Sequence, residues 1–143
     1  MQKQPICLFQ SGGANIPPIE DVPSTIKLIG RGLDISCFDQ LAHRIELSKE
    51  QFATLLRIPR TTMSRRKKTG LFGKDESERL IRFVRVFQKA VELFDGDEAG
   101  ARRWLKTPDE LFEGRTPLEY AETEPGALFV LNVIGRLEHG VFS

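Results

Sequence analysis

The sequence predicts an all-α fold, in which a helical bundle is followed by a second, smaller helical domain. From Pro23 onward, apolar residues recur at the three- and four-residue spacing of helices that bury one face. Runs of alternating β-branched residues, which are typical of strands, are absent after the same point. Several apolar segments are also preceded by residues that commonly cap helices. The 143 residues are enough for one compact domain or two small ones sharing a core.

The first 22 residues differ from the rest of the chain. They hold Pro5, Pro17, Pro18, Gly12 and Gly13 and show no sustained periodicity. Residues 1–22 are therefore predicted to form a flexible N-terminal arm. A first helical domain is predicted over residues 23–74 and a second over residues 75–143.

Nine helices are predicted after the arm. They cover, in order, Ser24–Gly32, Ser36–Ile45, Lys49–Leu56, Arg60–Lys68, Glu76–Phe94, Asp97–Lys106, Pro108–Phe112, Pro117–Ala121 and Glu124–Glu138.

Capping patterns support four of these helix starts. Ser48 followed three residues later by Gln51 is a capping box. Two Thr-Pro-x-Glu starts place threonine at the N-cap and proline in the first turn, at Thr107 and at Thr116. Asp75 with Glu78 forms a weaker pattern of the same kind. The two threonine starts lie so close together that short helices must fold back on each other.

The helix predicted over Glu76–Phe94 carries a broad apolar face. Leu80, Val84, Phe87 and Val91 follow helical spacing, and neighbouring apolar residues widen the stripe. Such a helix is typical of the centre of a core. Its extra apolar surface also allows self-association, so a homodimer is expected as well.

Positive charge is concentrated in one segment. The chain has a formal net charge of +1, yet residues 57–74 hold seven Lys/Arg and no acid. Residues 1–56 carry a net −1 and residues 75–143 a net −5. The segment with +7 is a candidate phosphate-binding surface, whereas the acidic remainder would repel nucleic acid.

The basic segment has the layout of a helix–turn–helix. In "LSKEQFATLLRIPRTTMSRRKKTG" a capped helix is expected to bury Phe52, Leu55 and Leu56, and "RIP" forms the turn. The second helix, with Met63 facing the first, then presents its polar side to the major groove of double-stranded DNA. The predicted DNA contacts are Arg60, Thr61, Thr62, Ser64 and Arg65 near base edges, and Lys67 and Lys68 on phosphate. A helical hairpin with incidental charge is the alternative.

Nothing in the sequence indicates catalysis, so an enzyme is not expected. Cys7 and Cys37 lie far apart without a metal-binding spacing, and His43 and His139 have no partner ligands nearby. We therefore expect no metal, no cofactor and reduced thiols in a cytoplasmic protein. No apolar run approaches the length of a membrane helix.

The C-terminal region is predicted to be a small helical domain with an apolar end. Core positions are expected at Trp104, Leu105, Leu111, Phe112, Leu118 and Tyr120, and along a helical stripe of Leu128, Leu131 and Ile134 with Val130 and Leu137 beside it. The chain ends on the apolar pair Val141–Phe142 before Ser143. These two side chains either tuck under their own core or enter a groove on a partner.

Two parts of the chain resemble known families. The run "LSKEQFATLL-x-IPRTTMSR" resembles the Xre-type regulator helix–turn–helix, although Arg57 stands where the turn usually has glycine and Arg66 where many relatives have tryptophan. The segments "RRWLKTP", "GRTPLEYAETEPGA" and "GRLEHGVFS" look like the toxin-binding domain of the Xre/MbcA/ParS antitoxin family. Together the resemblance covers about Ser24 to Ser143, and it implies an Xre-like helix–turn–helix bundle (23–74) followed by an antitoxin domain (75–143).

The resemblance also implies a function. It points to the antitoxin of a RES–Xre toxin–antitoxin pair, whose RES-type toxin degrades NAD and is blocked when C-terminal antitoxin residues cover its active-site entrance. The same family implies dimerisation and repression of the chain's own operon through operator DNA. By this resemblance the toxin contacts are Arg136, Leu137, Glu138, His139, Gly140, Val141 and Phe142. The alternative is a stand-alone transcription regulator whose C-terminal half only dimerises or binds a ligand.

Overall fold

The computed structural model describes residues 9–10, 13–14 and 22–140, and it confirms the all-α prediction for the domain region. The α-helices are α1 (Val22–Arg31), α2 (Ile35–Ile45), α3 (Lys49–Leu55), α4 (Arg60–Thr69), α5 (Lys74–Leu93), α6 (Glu98–Leu105), α7 (Pro117–Tyr120) and α8 (Glu124–Glu138). A single 3₁₀ turn, Glu110–Phe112, lies between α6 and α7. None of the described helices is both long enough and apolar enough to span a membrane.

The predicted N-terminal arm falls mostly outside the described residues. Within it, the two-residue strands β1 (Phe9–Gln10) and β2 (Gly13–Ala14) pair antiparallel, with Phe9 opposite Ala14. Helix α1 begins at Val22, the last residue assigned to the arm.

The chain divides into two compact units, residues 1–81 and 82–143, and the division falls inside α5. In the described part of the first unit, α2, α3 and the loop before α5 meet around aromatic side chains. Phe38 stacks on Phe52 with ring centroids 5.0 Å apart and tilts against Phe72 at 5.9 Å. All three rings are buried, so they form the centre of this core.

The second unit is built around a cluster of four aromatic rings. Phe112, which is fully buried, contacts Trp104, Tyr120 and Phe129 with centroid distances of 5.5–6.0 Å. These contacts join α6, the 3₁₀ turn, α7 and α8, so the short elements are fixed by side-chain packing and not by their own length. The predicted fold-back is therefore present.

Arg57, which stands where such turns usually have glycine, has a left-handed backbone in the turn after α3. Its φ is +57°, a left-handed conformation that costs an L-residue about 1–2 kcal/mol relative to glycine. The backbone N–H of Arg57 donates to the Thr54 carbonyl and that of Ile58 to Ala53. Ile58 is thereby buried, with 5% of its surface exposed, as the predicted turn requires.

Two predicted caps are confirmed and two are wrong. Capping boxes are present at Ser48–Gln51 and at Thr116–Glu119. Thr107 does not cap a helix, because its hydroxyl donates to the Arg103 carbonyl at the end of α6 (2.6 Å), and Asp109 caps the 3₁₀ turn instead. Asp75 does not start α5, which begins one residue earlier.

The buried face of α8 also differs from the prediction. Leu128 exposes 53% of its surface and Leu111 exposes 42%, so neither belongs to the core, and Leu131 is half-buried. The face that packs inward carries Gly126, Ala127, Val130, Val133 and Ile134. A Cβ at Gly126 would overlap the Tyr120 carbonyl oxygen, so only glycine allows α8 to approach α7 so closely. This contact determines which face of α8 packs inward.

Candidate nucleic-acid and protein-binding surfaces

The helix–turn–helix begins with a firmly capped α3. The Gln51 backbone N–H donates to the Ser48 hydroxyl at 3.0 Å, and the Ser48 N–H donates to the Gln51 side-chain oxygen at 2.9 Å. Phe52 and Leu56 are fully buried, whereas Leu55, predicted to be buried, is only half-buried. This packing fixes the direction in which the chain leaves α3 and enters the turn.

Helix α4 presents its polar side to solvent. Met63 is its one buried residue, with 8% of its surface exposed. The seven predicted DNA contacts all lie on the surface, Thr62 half-buried and the others exposed: Arg60, Thr61, Thr62, Ser64, Arg65, Lys67 and Lys68. The structure therefore places these residues on the surface of one short helix.

Each unit has an open cavity near its candidate surface, of about 800 Å³ in the first unit and about 420 Å³ in the second. The larger cavity lies between α3 and α4. The buried Ile58 and Met63 line it, together with the exposed charged residues Lys49, Glu50, Arg60 and Lys67. Lys49 Nζ lies 3.5 Å from an oxygen of Asp39 and keeps 60% of its side chain exposed. Lys49 precedes the turn in the sequence, and the packing of α3 on α4 places it beside the basic helix.

Arg66 behaves differently from the other cations of α4. Its Nε donates to Glu76 Oε1 at 2.9 Å, and the same oxygen accepts the Gly73 backbone N–H at 2.7 Å. Partial burial raises the pKa of Glu76, but the hydrogen bonds from Arg66 and Gly73 and the charges of Arg66 and Arg79 outweigh it, so the pKa lies below its ordinary value. Glu76 therefore stays ionised and compensates the Arg66 charge.

The predicted toxin contacts lie at the end of α8. Arg136, Glu138, His139 and Gly140 are exposed and Leu137 is half-buried. The helix ends at Glu138, and Gly140 takes a positive φ of +68°. Val141 and Phe142 lie outside the described residues.

The smaller cavity lies within the segment that follows the 3₁₀ turn. It is lined by Glu113, Arg115, Glu119, Tyr120, Thr123, Pro125, Gly126 and Phe129. The Arg115 guanidinium lies over the Tyr120 ring, 5.7 Å from its centroid, in a cation–π arrangement. The sequence pattern gave no signal of this cavity, because it depends on how Tyr120 and Phe129 tilt against each other.

Two protein-family models match the chain, one in each half. Residues 24–85 match the model of the antitoxin Xre-like helix-turn-helix domain, and residues 89–140 match that of the antitoxin Xre/MbcA/ParS C-terminal toxin-binding domain.

Three individual proteins that are similar to this chain are each named antitoxin Xre. Antitoxin Xre of Yersinia enterocolitica is 41% identical over 116 residues, which are 80% of this chain and 78% of the relative. Antitoxin Xre of Photorhabdus laumondii is 37% identical over 127 residues, or 88% of this chain and 86% of the relative. Antitoxin Xre of Pseudomonas putida is 33% identical over 81 residues, or 57% and 50% of the two chains.

Proposed function

The chain belongs to the antitoxin Xre family, and we propose that it neutralises a RES-domain toxin and represses its own operon. Membership gives it the two domains of a type II antitoxin, a helix–turn–helix for DNA and a C-terminal domain for a toxin. The observation that carries the proposal is the exposed basic side of α4 in the same chain as that toxin-binding domain. The identity of the toxin, the operator and the assembly are our inferences.

For DNA, we assign sequence reading to the first turns of α4. Arg60 and Arg65 have the fork geometry that pairs with guanine in the major groove, and Thr61, Thr62 and Ser64 can reach bases or phosphate. Lys67 and Lys68 then contribute phosphate contacts, which add affinity without sequence information. The absence of any acid between residues 57 and 74 supports this assignment, since no carboxylate of that segment repels the backbone.

For the toxin, we assign the contact to residues 136–142. Arg136, Glu138, His139 and Gly140 are exposed at the end of α8, which supports an accessible surface there. In this proposal Val141 and Phe142 extend it into the NAD-binding cleft of a RES-type toxin and block the cleft sterically. The net −5 of residues 75–143 favours a partner whose rim around that cleft is basic.

We further propose a homodimer in the cytoplasm, where operator DNA and NAD are both present. A dimer would place two α4 helices on half-sites about one DNA turn apart, and its operator would then have approximate two-fold symmetry.

The experiment that tests this function uses the protein encoded next to this chain's own gene, which the proposal requires to be a RES-type toxin. That protein alone should consume NAD, and an equimolar amount of this chain should stop the consumption. If the neighbouring protein leaves NAD intact, or consumes it equally well with this chain present, the proposed function is wrong.

The cavity of about 420 Å³ supports a second candidate, a stand-alone regulator that binds a ligand through its C-terminal domain. An aromatic floor with Arg115 and Glu119 at the rim is suited to a small polar molecule. Absence of any toxin gene beside this one would favour this candidate over the antitoxin.

A further inference from the structure

We propose that Arg66 and Glu76 form a pair that orients α4 for DNA binding, so that Arg66 is a positioning residue and not a DNA contact. This inference rests on the DNA-binding part of the proposed function. It changes the interpretation of the basic segment, because one of its seven positive charges is then directed toward the protein's own α5.

Helix α4 has few apolar contacts to hold it. All ten of its residues are described, and Met63 is the one that is buried. A single buried side chain near the middle leaves the roll and tilt of a short helix poorly determined, whereas base reading requires both to be fixed. Arg66 lies three residues after Met63, so both side chains leave the same side of the helix. The Arg66–Glu76 contact therefore supplies a second fixed point beside Met63.

The geometry of the pair is that of a structural contact. The nitrogen–oxygen distance is 2.9 Å, and the side chains of Arg66 and Glu76 are only 27% and 12% exposed. Charge-assisted hydrogen bonds with this degree of burial are stronger than exposed ion pairs, which contribute little. By comparison, the pair Lys89–Glu92 has a longer distance of 3.3 Å and a glutamate that is 60% exposed.

The loop that receives Arg66 is itself held by hydrogen bonds. The Gly70 N–H donates to the Arg66 carbonyl at 2.8 Å and closes α4. The Phe72 N–H donates to the Leu33 carbonyl at 2.9 Å, and the buried Leu33 N–H donates to the Ser77 hydroxyl at 2.9 Å. Glu76 thus sits in a first turn of α5 that is tied to the core, so it can act as a fixed anchor for α4.

Gly73 leaves the space that the pair needs. A Cβ at this position would lie 2.6 Å from Arg66 Nη2 and 3.1 Å from the Glu76 oxygen. Because Gly73 has no positive φ, alanine would introduce no backbone strain there. It would, however, displace the end of the Arg66 side chain. Gly73→Ala is therefore a variant that should break the pair without changing any charge.

A positioning role and a phosphate-contacting role predict opposite effects of neutralising Glu76. If Arg66 bound phosphate, Glu76→Gln would free its charge for DNA and strengthen binding. If the pair orients α4, the same substitution weakens recognition even though it removes a negative charge near the DNA. Few other variants separate the two roles by the sign of the effect.

The experiment measures binding of the full chain to two probes, a duplex from directly upstream of its own gene and calf-thymus DNA. We expect Glu76→Gln, Arg66→Met and Gly73→Ala each to bind the upstream duplex about five- to tenfold more weakly. Binding to calf-thymus DNA should be unchanged, and the Arg66→Met/Glu76→Gln double variant should be no weaker than either single variant. Glu78→Gln is the matched control, because it removes the same charge from an exposed position two residues away and should not weaken binding.

Two results would overturn the positioning role. One is Glu76→Gln binding the upstream duplex as tightly as the wild type or more tightly. The other is Arg66→Met reducing the dependence of log affinity on log salt by about one, which is the mark of a lost phosphate contact.

Amide hydrogen exchange keeps the inference testable without DNA. In Glu76→Gln, amides of α4 after Met63 should exchange faster while those of α2 keep their protection. Unchanged protection in α4 would also refute the inference. If the wild type binds neither DNA probe, the proposed DNA-binding function fails, and the exchange result still decides whether the pair holds the helix.

Discussion

At the scale of single residues, two glycines of α8 have opposite surroundings. Gly126 lies against the backbone of Tyr120, whereas no other part of the described chain lies within 4 Å of the place where a Cβ of Gly135 would be. The first glycine permits the close approach of α8 to α7. The second has no packing reason to be glycine.

The two positions therefore predict opposite effects of the same substitution. Gly126→Ala should lower the free energy of unfolding by about 1–3 kcal/mol, because the added methyl group must displace a backbone carbonyl. Gly135→Ala should raise it by about 0.5–1 kcal/mol through better helix propensity. Urea denaturation of both variants checks this, and equal effects would show that the packing of α8 described above is incorrect.

Glu76 makes stability depend on pH. Because its pKa is lowered in the folded state, its contribution to stability is fully present above its unfolded pKa and is lost as pH falls through its folded pKa. Glu76→Gln should thus be less stable than the wild type at neutral pH, and this difference should shrink in strongly acidic solution. Measuring the unfolding free energies of both proteins at several pH values checks this prediction. A difference in stability that is independent of pH would contradict it.

At the scale of elements, the bounds of the helices were largely predictable because local signals set them. Serine and threonine caps mark α3 and α7, and the left-handed backbone at Arg57 follows from the turn between α3 and α4. The cap at Thr107 could not be predicted correctly, since its hydroxyl has a competing acceptor in the preceding helix.

Contacts between elements were less predictable. Helical spacing to Leu131 and Ile134 predicts a core position for Leu128, but Leu128 is exposed. The actual phase of α8 depends on the contact between Gly126 and Tyr120, which spacing does not encode. The Arg66–Glu76 pair was likewise invisible in the sequence, since it joins residues on two different helices across a loop. For the basic segment, the sequence did not indicate that Arg66 is already paired with Glu76.

Within α4, the arginines and lysines should affect DNA binding in different ways. Arg60→Ala or Arg65→Ala should cost about 1–3 kcal/mol on the upstream duplex and relax sequence preference, since these side chains are assigned to base edges. Lys67→Ala or Lys68→Ala should weaken binding to all duplexes alike and reduce the salt dependence by about one. Salt titrations on the upstream duplex and on a scrambled duplex separate the two classes. Lysine variants that lose sequence preference would reverse the assignment.

At the scale of the whole molecule, charge is divided along the chain in the same way as the proposed functions. Residues 57–74 carry +7, and residues 75–143 carry −5. Mixing the two would weaken DNA binding, because acids near α4 would repel the DNA phosphates. The two binding activities should therefore be separable by mutation.

This division of charge along the chain also predicts that DNA binding and toxin binding respond differently to salt. DNA binding through several phosphate contacts should fall steeply between low and moderate salt, whereas toxin binding through a partly apolar C-terminal end should fall much less. Titration of both complexes over the same salt range checks this expectation. Equal salt dependence would indicate that charge, and not apolar contact, holds the toxin complex.

The most direct test of the central claim is NAD consumption by the neighbouring toxin in the presence of this chain shortened by residues 137–143. The shortened chain should no longer stop NAD consumption, although it should still bind the upstream duplex like the full-length chain. The Arg60→Ala/Arg65→Ala variant is the control and should stop NAD consumption fully while failing to bind the duplex. Full neutralisation by the shortened chain would contradict the claim that separate surfaces serve DNA and toxin, with the C-terminal end blocking the toxin.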